Sequence, residues 1–280
     1  MNINWKLKSK IFGLIDLFGA DGLLYFIQKN ITKRSRLAFV EVQDNWVIHE
    51  EHLSTLEGPH VLEFGAGKHL AQNLYLSRCV GKQTVVDLFP MLDFNLVNVA
   101  AQQVASLVPD FEHKLTHSLE ELTANYAIDY RAPVDMRQTE FADGSFDACI
   151  NTATLEHIPA DDIEAIFREI KRIVVDGGLI SMTIDYSDHY AHTDRTIGRL
   201  NFLQFSDEKF LHYRHNCHFL NRLRHQDHLA IFERLGFEVV RESAINSASP
   251  PAIVNERFDV EDPRTFATRG IILLRNRKDQ

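Results

Sequence analysis

Glu63, Gly65 and Gly67 stand in the run Val61-Leu-Glu-Phe-Gly-Ala-Gly67, where a short apolar stretch ends in an acid and two glycines just before a helical pattern begins. This is the pattern of a strand, a tight turn and a helix N-terminus. Glycine has no Cβ, so such a turn can take positive φ and let a flat or anionic ligand lie against the backbone. A second apolar run, Gln83-Thr-Val-Val-Asp87, ends in an acid 24 residues after Glu63, with a helical pattern between the two. An acid at the carboxyl end of the adjacent strand of a βαβ unit is placed to accept both hydroxyls of a ribose. The chemistry these residues suggest is the holding of a nucleoside. A dinucleotide fingerprint requires a glycine three positions after Gly67, and Leu70 stands there instead, which argues against NAD. The plain structural alternatives are a strand-to-helix turn without a ligand and, for Asp87, a solvated acid opening the Phe89-Pro90 turn.

Seven of the 14 histidines, at positions 189, 192, 212, 215, 218, 225 and 228, fall in one stretch. Three neutral imidazoles can bind zinc, but no His-Glu-x-x-His pattern is present and His225 and His228 have polar neighbours. The expectation is hydrogen-bonding and surface positions for most, acid–base work for one or two, and no metal. Cys79, Cys149 and Cys217 are odd in number and include no Cys-x-x-Cys pair, so neither a disulfide framework nor a zinc site is expected.

From about residue 59, strand and helix patterns alternate, which implies a mainly parallel sheet covered on both faces. Strands are expected at 60–64, 83–88, 128–134, 146–151, 178–184, 237–242 and 268–275, and helices near 68–79, 93–107, 160–174 and 225–235. The helix over 160–174 carries Ile163, Ile166, Phe167, Ile170 and Val174 at helical spacing, and Gly177-Gly178 is expected to stop it. A chain of 280 residues with 45% hydrophobic content can bury one domain with appendages. Its net charge of −9 argues against a nucleic-acid substrate, since phosphate binding needs a clustered basic surface.

Residues 1–57 form an N-terminal helical extension, and residues 58–280 the main domain. The first 36 residues carry Lys6, Lys8, Lys10, Lys29, Lys33, Arg34 and Arg36 against Asp16 and Asp21, beside Ile11, Phe12, Leu14, Ile15, Leu17 and Phe18. This reads as a basic amphipathic helix, too interrupted by Asp16, Asp21 and Gly22 to span a bilayer. Two readings stand: a cap over the active site, or a helix lying on an anionic membrane surface. Residues 37–56, with Trp46, His49 and His52, are expected as the helix before the first strand. No apolar run near the start is followed by a small-residue cleavage site, so the cytoplasm, or the inner face of its membrane, is the expected location.

A third stretch, Val134-Asp135-Met136 leading to Phe141-Ala-Asp143-Gly-Ser-Phe146-Asp147 and then Asn151-Thr-Ala-Thr-Leu155-Glu156-His157-Ile, joins the first two. Together they resemble the class I S-adenosylmethionine-dependent methyltransferases. In those enzymes an acid with a small or apolar neighbour precedes a Phe-x-Asp-x-Ser-Phe-Asp turn, and a Leu-Glu-His segment follows the next strand. Their usual third glycine, two positions after Gly67, is His69 here. The resemblance implies an α/β fold with a doubly wound, seven-stranded, mainly parallel Rossmann-like sheet, an antiparallel last strand and S-adenosyl-L-methionine as cofactor. It implies a cofactor site of Glu63, Gly65, Ala66, Gly67, Asp87, Leu88, Asp135, Met136, Asn151 and Thr152. Within that site Asp135 accepts from the adenine amino group, Met136 packs on the ring, and Asn151 with Thr152 borders the methionine part. Asp143, Ser145 and Asp147 read as turn and cap residues.

Residues 185–224 lie where these enzymes place acceptor-binding insertions. Aromatic faces pack on sugar rings, and Asp, Asn and Arg side chains bond hydroxyls or carboxylates, so Tyr186, Asp188, His192, Asn201, Asn221, Arg222 and Arg224 suit a glycan-like or other polar acceptor. The run also resembles methyltransferases of bacterial surface-polysaccharide biosynthesis. An alcohol must lose its proton as the new bond forms, which calls for a general base. His189 is the first candidate, oriented by Asp188 or Asp185, and His157 the second. The sequence thus points to O-methylation of a carbohydrate or other polar small molecule. Methylation of a quinone or lipid-linked intermediate, and a non-catalytic scaffold suggested by His69, are the alternatives.

Overall fold

Strand β1 (His60–Phe64) is buried on both faces, as a strand in the middle of a parallel sheet must be. It pairs in parallel with β2 (Lys82–Val86) on one side and β4 (Phe146–Thr152) on the other. The computed structural model describes residues 3–18 and 43–278. Outside the central three lie β3 (Ile128–Arg131), β5 (Val174–Asp185), β6 (Glu238–Ile245) and β7 (Arg269–Arg275). The sheet has seven strands in the order β3-β2-β1-β4-β5-β7-β6, with β7 antiparallel to both neighbours. This is the doubly wound, Rossmann-like methyltransferase fold. Its strand order reverses between β1 and β4, and in open α/β sheets that switch point is where ligands bind, outside the carboxyl ends of the strands.

Eight helices are described: α1 (Trp5–Phe18), α2 (Gln43–Leu53), α3 (Ala71–Leu76), α4 (Phe94–Leu107), α5 (Leu119–Tyr126), α6 (Ala160–Ile173), α7 (Asp207–Leu211) and α8 (His225–Arg234). Alternate residues of one strand feed different cores. Leu62, Phe64 and Cys149 pack with Ile163, Phe167 and Ile170 of α6, while Val85 packs with Trp46 of α2, Leu74 of α3 and Val97 of α4. The charges of α6 agree with its dipole, Asp161 and Asp162 in the first turn and Lys171 and Arg172 in the last.

Several boundaries differ from those expected. Helix α3 starts at Ala71 rather than 68 because Leu70, its N-cap, takes the left-handed conformation with φ 51°. Strand β3 ends at Arg131, two residues before Pro133, which has no N–H to give a ladder. Gly177 and Gly178 do not stop α6, which ends at Ile173, but form the bulged start of β5: a Cβ on Gly178 would meet Val174 Cγ1 at 2.5 Å and the Asp147 carbonyl at 2.8 Å. Helices α5 and α7 were not expected, being short and of mixed polarity. Of the segment 37–56, the structure gives helix over Gln43–Leu53; Lys29, Lys33, Arg34 and Arg36 lie outside the described residues.

A separate aromatic core joins α1 to the insertion. Trp5 packs on Tyr190, Phe205 and Tyr213, with ring centroids 5.8, 5.8 and 4.7 Å away, and Phe12, Leu203 and Phe258 share this cluster. Phe258 comes from the long β6–β7 connection, a contribution the sequence did not suggest.

Candidate active site

At the end of β1, Gly65 and Gly67 both take positive φ, 76° and 77°. The two glycines differ in what surrounds them. A Cβ on Gly65 would stand 2.5 Å from Thr154 Cγ2, so this turn is pressed against the loop after β4. A Cβ on Gly67 would meet nothing within 4 Å. Gly67 therefore leaves its side of the turn open to a ligand. Asp87, at the end of β2, lies beneath it: the Tyr130 hydroxyl donates to Oδ2 at 3.0 Å and the Gly67 N–H to Oδ1 at 3.4 Å. Burial pushes the Asp87 carboxyl up from its usual range, against the pull of these two bonds. Tyr130 also lines a groove of about 470 Å3 with Leu92, Phe94, Pro133 and Val134. An open glycine, a carboxylate acceptor and an adjoining groove with apolar walls fit the ribose and base of a nucleoside.

Glu63 has a different place from the one expected. It is 3% exposed and takes Gln72 Nε2 at 3.0 Å and Asn73 Nδ2 at 2.6 Å, so it anchors α3 beneath the turn. Burial, with the nearby Asp87 charge, pushes its carboxyl up to about 8. Gln72 Oε1 accepts from Thr152 Oγ1 at 3.0 Å, and Thr152 Oγ1 bonds His49 Nε2 at 2.9 Å. His49 and His52, one turn apart on α2, both bond Ser181 Oγ of β5 at 2.7 Å. Burial lowers His49 to about 3, so it is neutral. Asn151, wholly buried, donates to the Phe64 carbonyl at 2.9 Å and ties the end of β4 to the glycine turn. Gln72, Asn73, Tyr130 and Ser181 were not singled out from sequence, and His49 was read only as part of the helix before β1, since none belongs to a local motif.

The remaining cofactor-side residues divide. Met136 is 5% exposed in the core beside Phe64 and Val86, whereas Leu88 is 53% exposed. Ala66 is half-buried in the turn. Asp135 is held by Arg137 at 2.6 Å, and Arg137 also reaches Asp162 at 3.0 Å. His69 accepts the Ala71 N–H on Nδ1 at 3.2 Å and thereby serves the start of α3.

Beyond the carboxyl ends of β4 and β5 a second cluster forms. His189 Nε2 lies 3.3 Å from Asp185 Oδ2, and His192 Nε2 lies 4.0 Å from the same oxygen. The His189 ring is 4.9 Å from those of both His157 and His192. His157 donates from Nδ1 to the Phe219 carbonyl at 2.8 Å, which leaves Nε2 as its free lone pair. Burial works to raise the Asp185 carboxyl, but His189 and Ser187 outweigh it and hold it down, at about 2. His218, also near His189, stacks on Phe12 of α1 with centroids 4.8 Å apart, and burial lowers it to about 3.

Most residues expected to contact an acceptor instead build the insertion. Arg224 is 1% exposed and donates to the backbone carbonyls of Thr265, Tyr186 and Ala267. Arg222 is buried and donates to the carbonyls of Phe202 and Phe205 and to Asp207. Tyr186 is buried, its hydroxyl 3.2 Å from His225 Nδ1. Asp188, also buried, takes the Tyr190 N–H at 2.9 Å and Asn201 Nδ2 at 3.0 Å, so it does not orient His189. Asn221 donates to the Leu155 and Ile158 carbonyls at 2.7 and 2.8 Å, fixing the loop that carries His157. Buried polar groups must find partners within the protein, and these six are committed to theirs. His192 alone of the expected acceptor contacts is exposed.

A sequence model described as a methyltransferase domain matches residues 62–182, the span from β1 into β5 that carries the whole cradle. No curated protein matches the sequence. Among solved structures, a Burkholderia thailandensis 1,6-didemethyltoxoflavin-N1-methyltransferase is 14% identical with a TM-score of 0.52, covering 93% of this chain and 89% of its own. A geranyl diphosphate C-methyltransferase from Streptomyces coelicolor is 13% identical with a TM-score of 0.51, over 84% of this chain and 79% of its own. The [4+2]-cyclase SpnF is 14% identical with a TM-score of 0.50, over 84% and 82%. At such identities the likeness is one of fold, and the cyclase illustrates that a fold does not name an acceptor. Over residues 62–182 the chain thus carries a methyltransferase domain, for which S-adenosylmethionine is the cofactor.

Proposed function

We propose that the protein methylates a hydroxyl oxygen of a carbohydrate or similarly polar small molecule in glycan biosynthesis, in the cytoplasm. The observation that carries this reading is the convergence of Asp185, His189 and His157 outside the carboxyl ends of β5 and β4, next to the switch point. An alcohol has a high pKa and needs a base at the moment of transfer. A paired imidazole and carboxylate supply one, and the composition of the chain, at −9, does not favour a nucleic-acid acceptor.

When bound, S-adenosylmethionine supplies a methyl group already activated on sulfur for in-line displacement. The protein's part is placement and proton removal. Gly67 and Asp87 hold the nucleoside, and the loops after β4 and β5 place the acceptor oxygen behind the methyl group. His189 takes the hydroxyl proton as the oxygen bonds to the methyl carbon, and the Asp185 carboxylate stabilises the imidazolium that results. The test is an assay of sugar nucleotides and glycans for methyl-ether formation by mass spectrometry, with wild type and His189→Ala. Turnover should fall by about 100-fold or more in the variant, with cofactor affinity kept; equal turnover removes His189 from the role.

One observation favours a second reading, methylation of a quinone or lipid-linked intermediate at a membrane surface. Helix α1 packs Trp5, Ser9 and Phe12 inward, while Leu7, Ile11, Leu14, Leu17 and Phe18 are exposed beside Lys6 and Lys10. No helix among the described residues is long and apolar enough to cross a membrane. Flotation with anionic vesicles, with and without residues 1–36, separates the readings.

A further inference from the structure

Five potential donors from two loops converge beyond β4 and β5. Glu156 and His157 come from the 3-10 turn Leu155–His157, and Asp185, His189 and His192 from the end of β5 and the run after it. Taken as Glu156, His157 and His189, or as Asp185, His189 and His192, one donor atom from each residue lies within 4.8 Å of those of the other two. His189 belongs to both triplets.

Two features distinguish this cluster from polar groups gathered at a surface. Glu156 is 3% exposed and its Oε2 has no hydrogen-bond partner. His189 Nε2 is also buried, and Asp185 Oδ2, 3.3 Å away, stands outside good hydrogen-bond geometry. Buried polar atoms are costly to leave unpaired. The His189–Asp185 spacing also matches two ligands of one tetrahedral ion, which with bonds of about 2.0–2.2 Å stand about 3.3–3.6 Å apart, while His192, 4.0 Å from Asp185, would close in on binding. The His157 ring is set the same way. Its Nδ1–H is given to a backbone carbonyl, the usual support for an imidazole that binds a metal through its other nitrogen.

We propose that Glu156, His157, Asp185, His189 and His192 form a binding site for a first-row divalent cation, with His189 as the shared ligand. Imidazole and carboxylate donors without a thiolate suit Zn2+ or Mn2+. The consequence for chemistry rests on the O-methylation reading above; the binding itself does not. In the cation-free protein His189 takes the proton as described above; with its lone pair on a cation it cannot. In the loaded protein a coordinated acceptor hydroxyl would instead be acidified by the cation and would release its proton to solvent. The oxygen then takes the methyl as the carbon–sulfur bond breaks, and that bond's electron pair stays on sulfur.

The experiment measures zinc in the full-length protein, stripped with chelator, reloaded with Zn2+ and desalted, for wild type, His189→Ala and Glu156→Gln. Binding of S-adenosylhomocysteine is followed in the same samples to report an intact fold. One equivalent of Zn2+ in wild type, with affinity about 100-fold weaker or worse in both variants and the nucleoside still bound, supports the site. Wild-type protein that binds S-adenosylhomocysteine but retains no Zn2+ overturns it. So does an equivalent that survives both substitutions, since it then sits on other histidines. If His189→Ala loses the nucleoside, His192→Ala at the exposed edge replaces it, and about a tenfold weakening of Zn2+ binding is expected; unchanged binding there overturns the site. Failure of the functional reading is distinct: Zn2+ binds as described, yet no hydroxyl acceptor is methylated.

Discussion

The Tyr130 hydroxyl donates to Asp87 Oδ2 at 3.0 Å, across two adjacent parallel strands, and so fixes the carboxylate beneath Gly67. The Met91 N–H in turn donates to the Tyr130 oxygen at 3.1 Å, so the loop after β2 is tied to the same pair. Replacing Asp87 by Ala is expected to weaken S-adenosylhomocysteine binding by about 1–3 kcal/mol, the cost of a hydrogen-bonded partner left unmet, without unfolding the protein. Tyr130→Phe leaves the carboxylate in place but less well held, and should weaken binding by less. Calorimetry on both variants checks the order; unchanged affinity in Asp87→Ala takes this residue out of the site.

Arg224 gives a stability prediction that separates two roles for one residue. Its guanidinium serves three backbone carbonyls, those of Tyr186, Thr265 and Ala267. Arg224→Ala strands them in the interior and should lower unfolding free energy by about 3 kcal/mol or more in urea titration. Arg224→Lys should not restore it, because an ammonium cannot reproduce the planar fork. A fully stable alanine variant with weakened acceptor binding would return Arg224 to the acceptor site.

Glu63 gives a pH prediction. Its folded pKa, pushed up to about 8 by burial first and by Asp87 second, lies above the usual 4.5. Between those values the folded chain keeps a proton that the unfolded chain has lost. Stability from this group is therefore complete below pH 4.5 and declines as pH rises, by about 1.4 kcal/mol per unit, until it levels off near the folded value. Glu63→Gln carries no such titration. Its stability relative to wild type should climb from pH 5 to pH 8 and then flatten; a constant difference across that range would mean that Glu63 is ionised in the folded protein.

Local patterns carried the cradle, and long-range pairings were hidden. Strand, glycine turn and acid are all written within residues 61–87, so a reading by periodicity and residue type finds them. The contact between His49 and Ser181 spans 132 positions and belongs to no motif. The insertion has a second physical reading. A run rich in Arg, Asn, Asp and Tyr looks like a ligand surface, but an irregular segment packed into a core must also satisfy its own carbonyls, and Arg222, Arg224 and Asn221 do that. Composition cannot tell the two uses apart. Likewise Gly177-Gly178 reads as a helix stop, yet the close approach of Val174 and Asp147 assigns the pair to a bulge. The histidines showed no ligand spacing because the fold draws them together from loops after two different strands, His157 from one and His189 with His192 from the other.

The central claim is that the turn at Gly65–Gly67 and Asp87 form a cradle for S-adenosylmethionine and not for a dinucleotide. Calorimetric titration of the purified protein with S-adenosylmethionine, with S-adenosylhomocysteine and with NAD tests it most directly. Binding of both sulfur compounds at about micromolar affinity, with none for NAD, is the predicted result. A folded, ligand-free sample that binds neither sulfur compound would contradict the account.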